Sequence, residues 1–148
     1  MGSRTQSREH ALQALYYMDM RQNVSKETID LYCSNFNPSE KLMPFFLDLV
    51  NGVLAHQQEI DHKIEQFSQH WKLSRMSCVD RNIIRMASFE LLYKEDIPPK
   101  VSINEAINLG KKFGTDESGA FINGILDTVH IAMDKGELEI TEKGKKDE

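Results

Sequence analysis

The sequence predicts an all-α protein of about seven helices. Apolar residues recur at the 3.6-residue helical period along most of the chain, and helix start and stop signals punctuate it. No period-2 alternation and no Asn-Gly hairpin competes with that pattern.

The elements follow in order. From Arg8 to Asp19, Ala11, Leu12, Leu15 and Met18 form an apolar stripe. A short helix is expected around Ile29 to Phe36. Asn37-Pro38-Ser39-Glu40 reads as a helix start, but Pro44 deep in that helix would lose a hydrogen bond. The regular helix is therefore expected from near Met43, through Phe46, Leu49, Val50, Val53 and Leu54, with Ile60, Ile64 and Phe67 continuing the period up to His70 and Trp71. Ser77 with Asp80 three residues on suggests a capped start for a long helix from Val79 to Tyr93. That helix is apolar on almost every side, as expected of a central bundle helix or one offering a spare face to a partner. After Pro98 and Pro99, Ser102-Ile103-Asn104-Glu105 reads as a capping box, and Gly114 as a C-cap glycine. Thr115 or Asp116 is expected to cap a last helix through Phe121, Ile125 and Met133. A break at Lys72 to Met76 divides the chain into halves of about 1–73 and 74–133, each a small bundle packed on the other. The charged segment from Asp134 to Glu148 reads as a mobile tail. No internal repeat is present.

Composition narrows the function classes. A chain of 148 residues with 28% charged residues and no run of 18 apolar ones is a globular domain without a membrane-spanning helix. No apolar signal core follows Met1, so a cytoplasmic protein is expected. Cys33 and Cys78 lack CxxC spacing and read as two reduced thiols. His10, His56, His62, His70 and His130 form no HExxH motif or Cys/His cluster, so no metal and no cofactor is expected. Gly110-Lys111-Lys112-Phe113-Gly114 lacks the order of a phosphate loop and follows a helix instead of a strand. With no nucleophile motif or paired carboxylates in an apolar segment, an enzyme is not expected.

Two polar features stand out. Glu90 falls inside the apolar arc of Val79, Ile83 and Met86, where a charge needs a partner or must become neutral; a structural ion pair or a helix-end contact is the expected answer. Asn123 and Gly124, between Ile122 and Ile125, suggest a close helix crossing.

The net charge of −5 is unevenly spread. In residues 1–22, Arg4, Arg8 and Arg21 outnumber Glu9 and Asp19; in 94–112, Lys94, Lys100, Lys111 and Lys112 outnumber Glu95, Asp96 and Glu105. These two segments are net positive, as an RNA-contacting surface would be, although a solvated helix face has the same look.

Three blocks carry a resemblance. They are Arg8-Glu9-His10-Ala11-Leu12-Gln13-Ala14-Leu15-Tyr16, then Asp80-Arg81-Asn82-Ile83-Ile84-Arg85-Met86-Ala87-Ser88-Phe89-Glu90-Leu91, and Ile97-Pro98-Pro99-Lys100-Val101-Ser102-Ile103-Asn104-Glu105-Ala106-Ile107. The last continues through Lys112-Phe113-Gly114 to Phe121-Ile122-Asn123-Gly124-Ile125-Leu126-Asp127. In this combination and order the chain resembles the NusB family of transcription antitermination factors over nearly its whole length.

The resemblance implies an all-helical, non-enzymatic factor made of two three-helix-bundle-like halves. It implies pairing with NusE, the ribosomal protein that doubles as a transcription factor, and binding of boxA RNA in nascent ribosomal RNA transcripts. The assembly acts on RNA polymerase to suppress premature termination. Carried over by position, the RNA surface comprises Arg4, Arg8 and Lys100, with Tyr16 either stacking a base or serving as a core tyrosine, and Glu117 as an acid tempering affinity. The partner surface falls on Asp80, Ile84 and Arg81. The chain departs from the family in its sparse arm, where Thr5, Gln6 and Ser7 separate Arg4 from Arg8, and at Ala120, where some members carry lysine. Fewer phosphate contacts imply weak RNA binding without the partner. An interaction module that regulates transcription or ribosome assembly without touching RNA is the alternative, as is the RNA-positioning part of a methyltransferase. A homodimer through the arm surface stays open.

Overall fold

The structure is a computed structural model that describes residues 2–68 and 71–136. His70 and most of the expected tail, from residue 137 on, lie outside the described residues. The helices are α1 (Ser3–Arg21), α2 (Lys26–Phe36), α3 (Met43–Phe67), α4 (Cys78–Tyr93), α5 (Pro99–Phe113) and α6 (Ser118–Asp134). Single 3-10 turns, Glu40–Leu42 and Leu73–Arg75, precede α3 and α4. Six α-helices and two short turns thus stand, among the described residues, where about seven helices were expected.

Local chemistry explains most boundaries. Gln22 ends α1 in the left-handed region, with φ 54° and ψ 33°. Ser25 caps α2 by accepting from the Thr28 amide at 3.3 Å. Pro44 sits in the first turn of α3, where its missing N–H leaves no bond broken, so the helix begins at Met43 as the proline requires. Ser77 caps α4 as expected, accepting from the Asp80 amide at 3.1 Å.

Two start signals are corrected. Helix α5 begins at Pro99, so Ser102 and Glu105 are not a capping box: they lie about one and nearly two turns inside it, Ser102 bonding to Glu90 and Glu105 to Arg8. Neither Thr115 nor Asp116 is the residue that precedes α6. That place belongs to Glu117, while Ser118 Oγ reaches back to accept from the Thr115 amide at 2.9 Å. Gly114 does end α5, but with φ −100°, not left-handed. A Cβ there would lie 2.3 Å from Ser118 Oγ, so close approach demands the glycine.

Helix α4 is the centre of the protein. Every residue from Asn82 to Leu92 is buried, and α1, α3, α5 and α6 all pack against it. One continuous apolar cluster, from Ala11 to Ala132, draws on all six helices. The nearly all-round apolar pattern of α4 therefore reflects centrality.

The close crossing falls at Gly52, not at Gly124. A Cβ on Gly52 would stand 2.1 to 2.7 Å from three atoms of the Phe89 ring, whereas Asn123 and Gly124 face solvent and a Cβ on Gly124 would meet nothing within 4 Å. Gly52→Ala gains helix propensity of about 1 kcal/mol but must displace a buried ring, and overpacking costs about 1–3 kcal/mol. A net loss in urea denaturation is the expected result, against a gain for Gly124→Ala. A Gly52→Ala protein as stable as the parent would overturn the packing argument.

Candidate nucleic-acid interface

The arm of α1 is helical from Ser3 although Gly2 offers no side-chain cap and the first turn holds no acid. Tertiary contacts hold it. Thr5 Oγ1 donates to Glu105 Oε1 at 2.7 Å, and Ser7 Oγ to the Leu42 carbonyl at 2.9 Å. The Arg4 guanidinium lies 4.6 Å from the centre of the Phe45 ring and 3.7 Å from Asp96 Oδ2. Arg4 is exposed, as is Lys100 in the first turn of α5.

Arg8 departs from the expected role. It is only 3% exposed: Nε and Nη2 grip the two oxygens of Glu90 at 2.8 and 2.7 Å, and Nη1 donates to Glu105 at 2.9 Å. Ser102 Oγ completes the set by donating to Glu90 Oε1 at 2.8 Å. Burial lowers the guanidinium pKa, but the hydrogen bonds and charge of Glu90, followed by those of Glu105, outweigh it and leave the pKa raised. Arg8 is thus the partner that buried Glu90 requires, and its guanidinium is not presented to solvent. With three of its five N–H donors on two carboxylates and the rest shut away from solvent, Arg8 is not available to a phosphate.

Beyond Arg8, several accessible polar and cationic side chains line one face of α5. On α5, Lys100, Asn104, Asn108 and Lys111 are exposed, and at about 100° per residue they fall within an arc of about 80°. Lys112 borders that arc and binds both oxygens of Glu9 at 2.9 and 3.0 Å. Glu117 is exposed just beyond the end of α5, accepting from Thr115 Oγ1 at 3.3 Å.

An aromatic groove of about 450 Å³ lies further along α1. Leu12, Gln13, Tyr16, Tyr17, Tyr32, Phe36, Val79 and Phe113 line it. Tyr16, 39% exposed, is a wall of this groove. Tyr32 stacks on Phe36 and Phe46, and burial pushes its phenol up to about 12. The groove escaped the sequence reading because its walls come from four helices.

The three partner-surface residues separate. Asp80 is half-buried at the start of α4, next to the groove wall at Val79. Arg81 is engaged inside the protein: Nε donates to Asp19 Oδ2 at 2.9 Å, and Nη1 to the Leu73 and Met76 carbonyls at 3.1 and 3.3 Å. Ile84 is 0% exposed, so the expectation that it touches a partner is corrected: the central position of α4 places it in the core. Asp19 also accepts from Asn82 and Arg85. Burial raises its pKa, but hydrogen bonds from Arg81 and Asn82 and the charges of Arg81 and Arg85 prevail and hold it below the usual carboxylate value.

Among the described residues no group of three or more His, Cys, Asp or Glu is placed to hold a metal, and no helix is long and apolar enough to cross a membrane. Buried charges serve architecture, while exposed Arg4, Lys100, Asn104, Asn108 and Lys111 lie on the α1–α5 side, with Tyr16 further along α1. That division defines a helical factor that works by docking macromolecules on its surface.

Comparison with known proteins gives the class its family. The NusB family pattern matches residues 5–130. The transcription antitermination protein NusB of Desulfatibacillum aliphaticivorans is 53% identical over 93% of this chain and 96% of its own, and that of Desulforapulum autotrophicum 54% identical over 94% and 100%. Among solved structures, NusB of T. maritima superposes with a TM-score of 0.79 at 32% identity, covering 91% of this chain and 97% of its own. A complex of antitermination factors NusB and NusE with double-stranded RNA contains a chain matching at TM-score 0.80 and 27% identity, over 89% of this chain and 98% of that one. The chain belongs to the NusB family of transcription antitermination factors.

Proposed function

We propose that this chain, paired with the ribosomal protein NusE, binds boxA-type RNA of nascent ribosomal RNA transcripts in the cytoplasm and so helps RNA polymerase avoid premature termination, with no catalytic role of its own. The observation that carries this reading is the α1–α5 side itself. Exposed Arg4, Lys100 and Lys111, with Asn104 and Asn108 between the lysines, lie there, with Tyr16 further along α1, in a chain that is otherwise acidic. Cations supply phosphate contacts, while amides and a half-exposed ring suit unstacked bases. The solved NusB–NusE–RNA complex supports both partners. NusE is assigned to the face at the start of α4, around half-buried Asp80 with Arg81 acting from behind, while Tyr16 stays with the RNA surface. The halves of about 1–73 and 74–133 act as one binding body, since α4 packs on helices of both.

The α1–α5 side carries few accessible cations, so RNA binding by this protein alone is expected to be weak and to strengthen with NusE. Arg4→Glu with Lys100→Glu is expected to abolish RNA crosslinking and flatten the salt dependence, while NusE binding and the urea midpoint stay unchanged. Persistent crosslinking would favour a module that regulates transcription without RNA contact. Equal RNA affinity with and without NusE would sink the partner-assisted reading. Arg8→Glu is unsuitable for this purpose because it breaks a buried ion pair.

A further inference from the structure

The cations on the α1–α5 side are not equally available. Among the described residues, Lys100 and Lys111 make no ion pair, whereas Lys112 is held by both oxygens of Glu9. This pair differs from an ordinary surface contact. The Glu9 side chain is 18% exposed, so its carboxylate has little freedom to swing away from a lysine that is 52% exposed. It joins residues 103 apart, tying α1 to the last turn of α5. The Lys112 ammonium also lies 5.4 Å from the centre of the Phe113 ring, which forms part of the groove wall. A carboxylate presenting two oxygens to an ammonium at this spot offers what two oxygens of an RNA phosphate would offer.

We propose that Glu9 is an affinity-setting residue of the RNA surface: its carboxylate occupies Lys112 and must be displaced before that lysine can meet a phosphate. The inference rests on the RNA-binding reading above and assigns one of its determinants. Coulombic attraction binds Lys112 to either anion, so the two compete directly. In the free protein the pair withdraws one cation from that side. Non-cognate RNA, bound by phosphates alone, then gains little from Lys112, while a correctly seated RNA can supply the displacement from its other contacts.

The test uses the full chain with NusE and a short single-stranded boxA-type RNA. Glu9→Gln is expected to raise RNA affinity at low salt roughly two- to tenfold and to steepen the slope of log affinity against log salt by about 0.7, as one added phosphate contact requires. Lys112→Ala alone is expected to change affinity less than Glu9→Gln does. The double variant should return within about twofold of the Lys112→Ala value. Glu27→Gln on α2 removes the same charge from an exposed position and controls for a general charge effect. Unchanged or lowered affinity in a folded Glu9→Gln protein overturns the inference, as does an equal gain in Glu27→Gln or a gain that survives loss of Lys112. If the parent complex with NusE does not bind the RNA at all, the RNA reading itself fails and this inference falls with it.

Discussion

Arg8→Met is expected to cost about 3–5 kcal/mol of folding stability in urea denaturation, and Glu90→Met a similar amount. Either change leaves a charge behind where water does not reach. Without Arg8, the Glu90 carboxylate, 1% exposed, keeps only the Ser102 hydroxyl; without Glu90, the Arg8 guanidinium keeps only Glu105. Replacing both partners removes both desolvation penalties, so Arg8→Met with Glu90→Met should lose much less than the sum of the single variants. The prediction fails if either single variant loses under 1 kcal/mol, or if the losses add. The same node ties Thr5 and the arm to α5 through Glu105. Arg8 therefore affects the candidate RNA surface by placing it, and RNA defects in its variants should track loss of folded protein.

Ile84→Ala is expected to destabilise by about 2–5 kcal/mol, because it deletes methyl groups from a fully enclosed position on a helix with little room to collapse. Below its midpoint, the folded fraction of that variant should bind NusE as the parent does. Asp80→Asn, which keeps the side chain's shape at a half-buried helix start, should do the opposite, changing stability by under about 1 kcal/mol while slowing association. Calorimetric titration of both variants against NusE separates core from contact. If Ile84→Ala proves stable yet does not bind, Ile84 touches the partner.

Much of the fold is legible in the chain because helices are local objects. The stripe of Ala11, Leu12, Leu15 and Met18 is a core face, and Ser77 caps α4 in the expected geometry. Pro44 moves the start of α3 to Met43 for the reason a proline must. The misreadings share one cause. Ser102 and Glu105 have the spacing of a capping box, but three residues apart in a helix also means one shared face, and that face meets Arg8 and Glu90. The glycine that admits a neighbour is Gly52, because the ring it must clear belongs to Phe89 on another helix.

The candidate site divides along the same line. The two net-positive segments are visible in the sequence, and so is the oddity of Glu90. Arg8 also falls on the helical arc of Ala11, Leu12 and Leu15, a sign that it points inward.

By itself the sequence determined the helical class and the two stretches where cations outnumber acids. Only the tertiary structure decided which of those cations are free to act. Arg8 is enclosed by Glu90 and Glu105, Lys112 is occupied by Glu9, and Lys100 remains open. The physical reason is that formal charge belongs to a residue, whereas its availability depends on solvent and on partners that stand 82 to 103 positions away along the chain.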